Sequence, residues 1–153
     1  MKTKTTITEI THDDLVNLLC SATYGSEWLC IKRPKGSYRG TELEEEGDCI
    51  EDTWAKILLA NKTVYVYDYF ANDAEERYGK LPCTYKNDAM RYEMTLEDIK
   101  KGLQKCFDGT FKANDEVEKE YMRKCAMRFL NEDIDLTDAE NIIQIIIFGE
   151  LIY

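Results

Sequence analysis

Residues 63–70 read Thr63-Val64-Tyr65-Val66-Tyr67-Asp68-Tyr69-Phe70. Every position but Asp68 is β-branched or aromatic, a composition that suits a pleated strand and crowds a helix. A period of two puts Tyr65, Tyr67 and Tyr69 on one face and Val64, Val66, Asp68 and Phe70 on the other. Outward from this strand, Met90 to Met94 is expected to pair with it across a long polar connection, residues 71–88, which contains Gly79 and Pro82. On the N-terminal side, Trp28 to Ile31 reads as a short strand. Residues 3–10 alternate Thr and Ile with charged residues and read as another.

Helical periodicity fills most of the remainder. Thr11 with Asp14 forms a capping signal ahead of Leu15, Leu18, Leu19 and Ala22, and Gly25 closes that segment. Ile50, Trp54, Ile57 and Leu58 mark one face of a helix from about 49 to 60, whose first turn carries Asp48, Glu51 and Asp52. Thr95 with Asp98 caps Leu96, Ile99, Leu103, Cys106 and Phe107, and Gly109 breaks that helix. A helix over about 114–130 shows Val117, Tyr121, Cys125 and Phe129, with Met122, Ala126 and Leu130 widening the stripe. Thr137 and Glu140 form a capping-box pattern before Ile142–Phe148. This last segment is apolar nearly all round and is read as a buried helix, with a central strand as the alternative. The expected fold is α+β, a single domain over 1–153, with a small, mainly antiparallel sheet packed against four to five helices.

Composition supports a real core and restricts the partners. The chain has 153 residues, 44% hydrophobic, with ten Tyr, five Phe and two Trp. Its formal charge is −10, from 20 bases against 30 acids. Residues 114–153 alone carry 4 bases and 10 acids, a balance of −6, whereas residues 61–113 are neutral. Such a chain is repelled by nucleic-acid phosphates, so direct nucleic-acid binding is disfavoured. Met1–Thr6 is polar and leads into no apolar run, and Ile142–Phe148 is far shorter than the ~20 residues that cross a bilayer. A cytoplasmic protein without membrane contact is the expectation. The six cysteines form no CxxC pair and His12 is the only histidine, so free, buried or half-buried thiols are expected, with no metal site and no cofactor.

Between Lys32 and Asp52 the charge changes sign. Lys32, Arg33, Lys35 and Arg39, with Ser37, Tyr38 and neighbouring glycines, form a loop suited to a phosphate-like anion, because Arg offers forked donors and Gly lets backbone amides approach. No P-loop pattern is present. Glu42, Glu44, Glu45, Glu46 and Asp48 follow; a basic protein partner would meet them as a row of negative charge. The plainer readings are a solvated loop paired with its own acidic neighbour, and a solubilising surface turn. Tyr65, Tyr67 and Tyr69 are candidates for a stacking or hydrogen-bonding face, or for packing beneath a helix. Catalytic motifs such as GxSxG, HExxH and a Gly-rich dinucleotide loop are absent, and His12 reads as a first-turn polar residue.

Four segments carry a resemblance: Ile7–Leu29, Cys49–Phe70, Arg91–Leu103 and Glu140–Tyr153. Together they resemble a family of small, uncharacterised acidic proteins encoded on phages and mobile elements of gut bacteria. The resemblance transfers no catalytic residue. It implies a non-enzymatic binding protein that blocks a host defence or nucleic-acid-processing enzyme, of anti-CRISPR or anti-restriction type. The alternatives are a nucleotide- or anion-sequestering protein using the basic loop, and a small hydrolase working through Asp or Glu.

Overall fold

The computed structural model describes residues 9–26, 28–32, 50–68 and 90–153. Five helices and three strands lie among them. In chain order they are α1 (His12–Tyr24), β1 (Leu29–Lys32), α2 (Ile50–Leu59), β2 (Val64–Asp68), β3 (Met90–Met94), α3 (Leu96–Asp108), α4 (Glu116–Leu130) and α5 (Leu136–Phe148). The fold is α+β, with a small antiparallel sheet, as the residue patterns imply.

The strand around Val64 and Val66 is the centre of the sheet, whose order is β1-β2-β3. Both neighbours run antiparallel to it. Leu29 pairs with Asp68 and Lys32 with Tyr65 on one side; Val64 pairs with Met94 and Tyr65 with Glu93 on the other. Leu29, Ile31, Val64, Val66 and Met94 therefore share one face, and all five are buried in the core that the helices complete. The Val/Tyr alternation thus has a physical cause: the valine face is covered by helices. Of the tyrosine face, Tyr65 is half-buried and Tyr67 is buried at 3% exposure.

Helix α5 packs against α1, α3 and α4, which makes it the hub of the helical layer. Its Ile142, Ile143 and Ile145 are buried, so the Ile-rich segment is helix despite its β-branched content. Burial on several sides outweighs a weak local propensity. Thr11 and Thr95 each form the reciprocal capping box expected of them, with Asp14 and Asp98 respectively. At α5 the cap lies two residues earlier than the Thr137–Glu140 pattern implies. Asp135 accepts from the Asp138 amide at 2.7 Å, and Asp138 accepts in return from the Asp135 amide. A carboxylate outcompetes a hydroxyl for amides at a positive helix end. Glu140 is thereby released, and accepts from Trp28 Nε1 at 2.7 Å.

Two further expectations need correcting. Ile50 is 47% exposed, so α2 buries Trp54, Ile57 and Leu58 without it. Helix α4 is rotated relative to its expected stripe. Val117 is 77% exposed and Leu130 43%, while Met122, Cys125, Ala126 and Phe129 face inward. His12 ties α1 to α2, its Nε2 lying 2.9 Å from Asp52 Oδ1.

Candidate functional site

Past Arg128 the sequence contains no Lys, Arg or His, but six acids: Glu132, Asp133, Asp135, Asp138, Glu140 and Glu150. Folding accounts for four of them. Asp135 caps α5, Glu140 holds Trp28, and Glu150 lies 3.5 Å from Lys112 Nζ. Asp138 is the buried member, its side chain 2% exposed. Arg128 reaches it with both Nε and Nη2 at 2.6 Å, and the Cys125 thiol donates to it at 3.3 Å. This fork joins α4 to α5 and orients the corner between them.

The electrostatics of the fork follow from its geometry. Burial pushes the Asp138 carboxyl up, but the Arg128 fork, the Cys125 thiol and the Asp135 amide outweigh it, and the net displacement is downward. The hydrogen bonds to Asp138 push Arg128 up. Burial, reinforced by the Asp138 charge, pushes Cys125 up to about 12, and burial does the same to Cys106. These two thiols stay protonated near neutrality and are poor nucleophiles. Burial also raises Tyr121, whose hydroxyl accepts from Asn141 Nδ2 at 2.9 Å.

Glu132 and Asp133 remain, both exposed, at the turn between α4 and α5. Glu132 has φ +57°, in the left-handed region. That conformation closes α4: the Glu132 amide donates to Phe129 O and the Asp133 amide to Arg128 O. Around this turn stand large apolar side chains open to solvent. Met127 is 50% exposed, Leu130 43% and Leu136 49%. Gly25, at the end of α1, abuts Leu136, and the adjacent Tyr24 is 73% exposed. The corner therefore displays fixed negative charge beside apolar side chains.

Of the sites expected from sequence, Glu42, Glu44, Glu45, Glu46 and Asp48 lie outside the described residues. So do Arg33, Lys35, Ser37, Tyr38, Arg39 and Tyr69. Lys32 ends β1 opposite Tyr65. Among the described residues no group of three or more His, Cys, Asp or Glu could hold a metal ion, and no helix is long and apolar enough to cross a membrane. Cys20, Cys30, Cys106 and Cys125 are free thiols. The α4–α5 corner was not singled out from sequence, although the −6 balance of residues 114–153 pointed toward it. Comparison with family models, with curated proteins and with solved structures finds no match.

Proposed function

We propose that this protein is a non-enzymatic binding protein that engages a basic partner surface through the acidic, apolar α4–α5 corner. One observation carries the reading: Glu132, Asp133 and Asp135 are exposed beside Met127, Leu130 and Leu136, in a region with no base after Arg128. Negative charge steers a basic partner and sets orientation, while large apolar side chains supply the area that an interface core needs. The Arg128–Asp138 fork holds the corner in one geometry, which reduces the ordering cost of association.

An enzyme that receives nucleic acid in a basic groove has the matching surface. A mobile-element protein that occupies such a groove and blocks a host enzyme is the form implied by the sequence resemblance. In this reading, Glu42–Asp48 adds a second acidic contact.

The test uses the purified protein against a panel of purified host nucleases and restriction or CRISPR effectors, with binding followed by calorimetry. The expected complex weakens as salt rises and is displaced by duplex DNA. Glu132→Lys with Asp133→Lys should abolish it, and Leu136→Ser should weaken it. Binding that ignores both salt and the charge reversals overturns the acidic-corner reading.

A further inference from the structure

The segment after α5 folds back onto the sheet and lies there as a ligand would. Gly149, at φ +72°, ends α5 and turns the chain, and the Lys112 amide donates to its carbonyl at 2.9 Å. Gln144 is completely buried on α5. Its side-chain oxygen accepts from the Ile152 and Tyr153 amides, both at 2.8 Å, and its Nε2 donates to the Tyr153 carbonyl at 3.4 Å. The Tyr153 ring lies 5.1 Å from Trp28 and 6.2 Å from Phe148, centroid to centroid. Tyr92 meets Phe148 edge-on at 5.4 Å and closes the far wall. At the floor is Asp68, completely buried at the end of β2, which accepts from the Tyr153 hydroxyl at 2.6 Å.

Each group of a tyrosyl residue is thus read separately: the ring by two aromatic walls, the hydroxyl by a buried carboxylate, the backbone by a buried amide side chain. Tyr153 remains 40% exposed, and Glu150 of its segment pairs with Lys112, which is 79% exposed at its side chain. Such a pair contributes little. The cradle is built deep; the segment that fills it is also anchored by Leu151, packed against the core, and by the bridge between Lys112 and Glu150, while Tyr153 stays partly open to solvent. Emptying it removes a short hydrogen bond from the Asp68 carboxylate, so exchange for another phenol is favoured over an open cradle. We propose that the cradle formed by Trp28, Phe148, Asp68 and Gln144 is a binding site for a tyrosyl peptide, and that the chain's own Tyr153 is its displaceable occupant.

In the wild type, the tethered Tyr153 competes with any peptide in trans at a high effective concentration. Removing it unmasks the site. The probe is the blocked pentapeptide Ac-Gly-Glu-Leu-Ile-Tyr-NH2, titrated calorimetrically into wild type and Tyr153→Ala, with thermal melts to establish folding. Tyr153→Ala is expected to bind it at least ~10-fold more tightly than wild type, because the competitor is gone. The same peptide ending in Phe should bind at least ~10-fold more weakly, because it leaves Asp68 without a phenol donor. A folded Tyr153→Ala that binds no probe at millimolar concentration overturns the proposal, as does equal affinity for the Tyr and Phe peptides. Should Tyr153→Ala not melt cooperatively, Tyr153→Phe keeps the ring packing and loses only the bond to Asp68. It must then bind the Tyr probe more tightly than wild type, and equal affinity overturns the proposal.

Discussion

Substituting Gly102 by alanine pits helix propensity against helix packing, and the structure says which wins. Gly102 is buried in the middle of α3, where glycine costs roughly 1 kcal/mol relative to alanine. On propensity alone Gly102→Ala should stabilise. The added Cβ, however, would lie 2.3 Å from Ile146 Cγ1 and 3.0 Å from Ile146 Cα on α5. Rotating the isoleucine can relieve the first contact only. The second is to backbone, so α3 and α5 must move apart. That movement loosens Ile99 and Leu103 against Ile142 and Ile143, all completely buried. Overpacking of this kind costs about 1–3 kcal/mol. Subtracting the propensity gain leaves a net loss of up to about 2 kcal/mol. For a chain of this size that is a fall in Tm of up to roughly 8 °C. Urea and thermal unfolding, followed by far-UV circular dichroism, measure it. A double-mutant cycle supplies the specific check: Gly102→Ala should cost less in an Ile146→Ala background, with coupling of about 0.5–3 kcal/mol. A higher Tm for Gly102→Ala, or no coupling to Ile146, refutes the close crossing of α3 and α5.

Three other outcomes follow from the Asp138 fork and the buried thiols. Arg128→Ala leaves a buried carboxylate without its cation and should cost about 3–5 kcal/mol in urea unfolding, far more than an exposed ion pair. Asp138 is held below its ordinary carboxylate range in the folded chain, so its contribution is fully present above the unfolded value. Stability should therefore fall as pH drops from about 4 through the folded value, and Asp138→Asn should flatten that limb of the profile. Cys125 and Cys106, raised to about 12, should react with a thiol reagent at pH 8 only as fast as the chain unfolds. Both should label promptly in urea, and mass spectrometry of the labelled peptides checks this.

The elements that could be read from sequence are those where one local signal dominates. Thr11 with Asp14 and Thr95 with Asp98 fix two helix starts through bonds spanning three residues, so no tertiary knowledge was needed. The pairing of 64–68 with 90–94 was legible because few other segments have strand composition. The rotation of α4 was not. Its apolar residues cover more than half its circumference, and the inward side is chosen by α5, which recruits Cys125 and Arg128 to Asp138. The start of α5 was ambiguous because Asp135–Asp138 and Thr137–Glu140 both have capping spacing. The buried cradle was illegible for a different reason: Trp28, Asp68, Gln144 and Tyr153 are spread over 125 positions, and nothing local links them. The candidate corner was half legible. Its charge imbalance is a count, but the conformation of Glu132 is a backbone fact that no residue pattern announces.

That conformation gives a way to separate what the corner does for folding from what it does for a partner. Three described helices end in a left-handed residue suited to the position: Asn61 after α2, Gly109 after α3 and Gly149 after α5. After α4 the same place is taken by Glu132, a side chain with no reason of its own to adopt φ +57°. Left-handed backbone costs a non-glycine L-residue about 1–2 kcal/mol. Glycine would relieve that strain and keep both closing bonds, at some cost in unfolded-chain entropy. Glu132→Gly should therefore raise stability by up to about 1 kcal/mol, read as a shift of the urea midpoint. If the glutamate is held there for a basic partner, the same variant should weaken that complex and lower its salt sensitivity. Glu132→Asn, which tolerates the left-handed region, should do likewise. A loss of stability in both variants would show that the Glu132 side chain serves the fold, and the strain at the turn would then no longer count as support for a binding corner.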